Sequence, residues 1–116
     1  MARFSSTKEL SPAATSISAD PTNSNSAKTE AAKDARVFVF VTVSPGGANR
    51  LNIDVETSLD DSRFADAGAF DEISVVGTYV FDVPQEKLSK FLRLQFHPSG
   101  GGTWELEAVI EKKQGV

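Results

Sequence analysis

The chain holds one histidine, His97, between Phe96 and Pro98 at the mouth of a glycine-rich turn. A histidine beside a hydroxyl and a carboxylate is the working set of acyl-transfer chemistry, and Ser99 or Ser44 would have to supply the nucleophile. Neither serine sits in the Gly-x-Ser-x-Gly elbow that exposes such a group. Gly100, Gly101 and Gly102 offer backbone that could cradle a phosphate, but no Lys followed by Ser or Thr comes after them and the next segment is not helical in pattern. They read as a turn. The densest charge lies in Asp54, Glu56, Asp60, Asp61, Asp66, Asp71 and Glu72, opposed locally by Arg63. Carboxylate oxygens are what Ca²⁺ takes, yet the spacing matches no EF-hand, and solvated strand and loop faces account for the cluster. Paired acids also hydrolyse glycosides, but one Trp and one Tyr provide little for a sugar cleft. With no Cys, thiolate catalysis, disulfides and thiolate-zinc sites are excluded. The expectation is a non-enzymatic protein without cofactor or metal.

Twelve Lys and Arg against sixteen Asp and Glu give a net charge of −4, which opposes the phosphate neutralisation that drives nucleic-acid binding. No nucleic-acid partner is expected. The longest apolar run, residues 37–41, is far short of the roughly 20 residues that span a bilayer, and the first thirty residues carry no apolar signal region. A soluble, unexported protein without a membrane partner follows as an expectation.

Composition changes abruptly near Arg36. Residues 1–35 are rich in Ser, Thr, Ala, Asn and Lys, with Met1, Phe4, Leu10 and Ile17 as their large apolar side chains. Such a segment cannot build its own core. Seven of the eight Phe, with Tyr79 and Trp104, come later. The reading is an extended low-complexity arm over 1–35, a folded domain over 36–112 and a tail over 113–116. It predicts that the domain folds without the arm.

The domain reads as strands, because β-branched and aromatic residues recur with period two between clusters of Gly, Pro, Asp and Ser. Candidates are residues 36–44, apolar on both faces like a doubly covered central strand, then 51–58, 70–75, 78–83, 91–96 and 103–110. Residues 85–90 have room for a helical turn, and 14–19 are the best candidate for one more strand, pairing within the chain or with a neighbour. Too few helices exist to cover a parallel sheet. The fold class is therefore all-β: an antiparallel, jelly-roll-like β-sandwich of about six to eight strands.

Sandwiches also carry sugar-binding platforms, which keeps a carbohydrate-binding module as an alternative. Tyr79 and Trp104 are the available rings, and both fall in phase with the apolar face of their strands. Arg93 and Gln95, on the opposite phase of 91–96, are candidates for an outward contact face, with plain exposure to water as the alternative.

The order of a low-complexity arm, RVFVFVTV, LNIDVETSLDDSRFADAGAFDEI, GTYVFDVP, KFLRLQF and a closing TWELEAVI resembles the capsid cement, or decoration, proteins of tailed bacteriophages. The likeness covers residues 36–111 as a pattern of strands and turns. It implies a small sandwich, often trimeric, made in the host bacterial cytoplasm and seated on the outside of the capsid. Its partners would be the major capsid protein and neighbouring copies of itself. Arms in that family reach across shell subunits, so Phe4, Leu10 and Ile17 become the expected anchors. Head-tail connector and tail proteins use similar sandwiches and remain an alternative.

Overall fold

A computed structural model describes residues 3–30 and 32–114. Nine strands form: β1 (Arg3–Ile17), β2 (Thr22–Asn23), β3 (Ala27–Lys28), β4 (Ala32–Val43), β5 (Arg50–Ser58), β6 (Phe64–Ala69), β7 (Gly77–Val83), β8 (Phe91–Ser99) and β9 (Trp104–Gln114). One sheet runs β1-β9-β4-β7, the other β2-β8-β5-β6, with β3 also on β8. All the pairings are antiparallel.

β2 and β3 act as one interrupted strand. Between them the Ser24 hydroxyl accepts from Leu94 N–H at 2.8 Å while Ser24 N–H donates to Leu94 C=O at 2.9 Å, which carries the ladder across the break. Eight strands then divide four and four, and all but β5 and β6 alternate sheets with their chain neighbours. That interleaving is the jelly roll.

The core lies between the sheets. Val37, Val39 and Val41 of β4 and Trp104, Leu106, Ala108 and Ile110 of β9 face Leu51, Ile53 and Val55 of β5 and Leu92, Leu94 and Phe96 of β8, all buried. Period-two alternation produces this directly, since successive side chains of a strand point to opposite faces. Pro84 ends β7, and Gln85–Lys87 form a single 3-10 turn.

Three expectations need correction. The boundary at residue 36 falls inside β4, and β1 pairs with β9 from Arg3 to Ile17. β1 thus lies along the whole of β9, Trp104–Gln114, so the described residues of the expected arm are part of the sandwich. Strand-edge hydrogen bonds and two well-placed side chains, Leu10 and Ile17, stand in for the apolar density that the segment lacks.

The third strand lies at Phe64–Ala69 and not at 70–75. There Phe70 and Ile73 are buried, and Ile73 exchanges two 2.9 Å backbone bonds with Leu51 as an isolated bridge. The sequence FADAGA has neither alternation nor strand propensity, and β5 recruits it as an edge. Finally, β4 is central but covered on one face; Phe38 and Phe40 lie on its outer side, half-buried.

Candidate contact surfaces

On β5 and β8 the residues alternating with the core project outward, and the register sets Asn52 against His97, Asp54 against Gln95 and Glu56 against Arg93. Asp20, in the connection from β1 to β2, reaches over this face. Its Oδ1 lies 2.6 Å from His97 Nδ1, while Asp54 Oδ2 lies 3.1 Å from Nε2. An imidazole between two carboxylates is best served by two N–H donors, the protonated form. The hydrogen bond to Asp20 accordingly raises the His97 pKa, its partial burial works against this, and the negative charges of Asp20 and Asp54 add to the rise.

The rest of this face is similarly paired. Arg93 Nε donates to Glu56 Oε1 at 2.8 Å, and its guanidinium stands 3.8 Å from the centre of the Phe64 ring. Gln95 Nε2 donates to Asn23 Oδ1 at 3.1 Å, Asn52 donates to Glu72 at 3.4 Å, and Arg50 lies 3.7 Å from Glu72. Arg93 and Gln95 thus do face outward, but their polar groups are engaged within the chain.

The other candidate residues are dispersed. Leu10 and Ile17, expected to anchor in neighbouring subunits, are buried in the protein's own core. Phe4 has backbone in β1 opposite Lys113; its side chain lies outside the described residues. Residues 1–2 and 115–116 lie outside them as well, and Lys113 and Gln114 of the expected 113–116 tail belong instead to β9, where the pairing with β1 and β4 extends the strand. Ser44 donates to Ser74 C=O at 3.0 Å and Ser99 to Arg50 C=O at 3.4 Å, so neither is the partner of His97.

Gly102 N–H donates to Asn49 Oδ1 at 2.8 Å, and a Cβ there would lie 2.3 Å from Pro45 Cβ. The glycine run therefore serves close packing of two turns. Asp60 is held by the backbone N–H groups of Arg63 and Ser62, the Arg63 side chain and the Ser58 hydroxyl, which keep it well below the usual carboxylate range. Among the described residues no three His, Asp or Glu side chains converge as a metal site, the acidic 54–72 region included. Trp104 is fully buried and offers no platform; Tyr79 packs partly against the core and donates to Val75 C=O at 2.7 Å.

A surface that sequence reasoning missed lies on the opposite sheet. The rings of Phe38 and Phe40 stack in parallel, 6.1 Å apart and 5° from coplanar, on the outer side of β4. The register flanks Phe38 with Val80 of β7 and Val109 of β9. The signal was available in β9, where Glu105, Glu107 and Glu111 share the outward phase and mark that sheet face as open to water.

No protein-family model matches the sequence, and no curated protein matches it. Among solved structures, a chain of infectious bursal disease virus, Gx strain, superposes over 98% of this chain with a TM-score of 0.61 at 13% identity. A chain of the Gt strain covers 98% at a TM-score of 0.49 and 12% identity. This protein spans about a third of the length of the Gx chain, 33%. The likeness is one of fold: a β-sandwich of this topology occurs in a virus structure. That virus is not a tailed bacteriophage, so membership of the phage cement family is not shown.

Proposed function

We propose that the protein is a non-enzymatic virion structural subunit that binds the outside of an assembled shell and cements it. The observation that carries this reading is the jelly-roll strand order of the whole described chain, in a fold that it shares with a chain of a virus structure. The strand-and-turn pattern of residues 36–111 points the same way. The partners would be the main shell protein and further copies of the chain arranged as a trimer. Within that reading the phage-capsid exterior is the favoured location, with the connector or tail as the second.

The mechanism is mass action: a subunit that binds the assembled lattice and not the dissociated shell stabilises the lattice by its free energy of binding. Burial of Leu10 and Ile17 moves the contact from an extended arm to the faces and edges of the sandwich. The test is sedimentation of particles purified from infected cells. The chain is expected in the particle fraction at a fixed ratio to the main shell protein; a chain found free in the supernatant overturns the reading.

A further inference from the structure

The two outer faces of the sandwich differ in kind. On the β8 sheet the outward polar groups bond to one another: Arg93 to Glu56, His97 to Asp20 and Asp54, Gln95 to Asn23. On the β9 sheet three rows cross the strands. Glu111, Arg36 and Asp82 form the first, Val109, Phe38 and Val80 the second, and Glu107, Phe40 and Thr78 the third. The middle of this face is apolar. Val80 is 50% exposed. Exposed apolar area gathered on one face and rimmed by charge is the usual mark of an interface.

The rim decides the partner. Arg36 is bonded to Asp82 at 2.8 Å, whereas no ion pair to Glu105, Glu107 or Glu111 occurs among the described residues. Two copies meeting through this face would set these carboxylates against their own kind at the edge of a desolvated patch, which is repulsive. A surface with an apolar centre and Lys or Arg around it would meet both features at once.

The geometry points to the outer face of β9, β4 and β7 as the docking surface for a neighbouring protein of this chemistry, with Phe38, Phe40, Val80 and Val109 as its centre and Glu105, Glu107 and Glu111 as its rim. The partner's identity as a shell subunit rests on the virion reading; the face and the partner's chemistry do not.

The test uses the full chain, isotope-labelled, and two synthetic amphipathic peptides with the same leucine pattern, one bearing lysine and the other glutamate at the remaining positions. The lysine peptide is expected to shift the resonances of Phe38, Phe40, Val80 and Val109, and the glutamate peptide to bind at least about tenfold more weakly. Val80→Glu should weaken the lysine peptide by about tenfold or more, and so should the triple change Glu105→Lys, Glu107→Lys, Glu111→Lys. Thermal melting checks folding; if Val80→Glu does not fold, Val80→Ser takes its place.

Shifts centred on Arg93 and His97, equal binding of both peptides, or unchanged affinity in the folded variants would overturn the assignment. So would self-association that the Val80 variant abolishes, since a second copy would then be the occupant. Peptide binding without particle cosedimentation removes the virion reading and leaves the docking face standing; the converse removes the face alone.

Discussion

His97 is where a single residue couples stability to pH. Its folded-state pKa is raised above the ordinary 6.5 chiefly by the hydrogen bond to Asp20. A raised pKa means that the folded state binds the proton more tightly, so the stabilisation is fully present below about 6.5 and is lost as pH rises through the raised value. Asp20→Asn should lower the urea midpoint at pH 5.5 and leave it nearly unchanged well above the His97 pKa. An equal loss at both pH values would show that the contact acts by packing and not by charge. Trp104 poses a different question, because its buried Nε1 has no hydrogen-bond acceptor among the described residues. An unpaired buried donor costs roughly 1 to 3 kcal/mol, so Trp104→Phe should fall within about 2 kcal/mol of the parent. Trp104→Ala, which opens a core cavity, should lose about 3 to 5 kcal/mol. Chemical denaturation of both variants separates the two effects.

At the scale of elements, the seam between β6 and β7 closes one side of the sandwich. Gly68 has φ +142° and lies beside a register shift in β6, and a Cβ there would stand 2.5 Å from Phe81 Cζ. Phe81 in turn packs against Phe70, with ring centres 5.6 Å apart. Gly68→Ala both strains the backbone and pushes the ring away, so a loss of about 1 to 3 kcal/mol is expected in thermal or urea unfolding. The opposite side is closed by β1. Removing residues 1–34 would strip the β9 edge of its partner and take Leu10, Ile17, Ala27 and Thr29 out of the interior. The truncated chain should show no cooperative melt by circular dichroism, and Ile17→Ala alone should cost about 2 to 5 kcal/mol. A truncation that melted like the parent would restore the arm-and-domain division.

For the whole molecule, charge is the long-range variable. Of the net −4, residues 37–116 contribute −5, with seven basic and twelve acidic side chains. Close association of copies works against this charge, and salt relieves it within a Debye length of about 8 Å at physiological ionic strength. Charge does not set the number of copies; on the trimer proposed above, light scattering at two ionic strengths should show a monomer-trimer equilibrium moving toward the trimer as salt rises. A strict monomer at all concentrations counts against the trimer.

Wherever a strand alternates strictly, the sequence alone determined its structure: β5, β7, β8 and β9 carry their inward residues in a period of two, and one face buried against one face wet leaves a single phase. The all-β class followed from the same periodicity. What only the tertiary structure decided were segments whose side chains are indifferent to environment. Eight of the 15 residues of β1 are Ser, Thr or Ala, and its place depends on backbone donors and acceptors that the open edge of β9 leaves unpaired, which composition does not record. β6 is an edge for the same reason. The contacts of His97 arise from three chain positions, 20, 54 and 97, brought together by the crossing of β1 into β2 and the pairing of β5 with β8. The outward Phe38 and Phe40 depended on which face of β4 received the second sheet, a choice that an apolar run on both phases leaves open until the sheets pack.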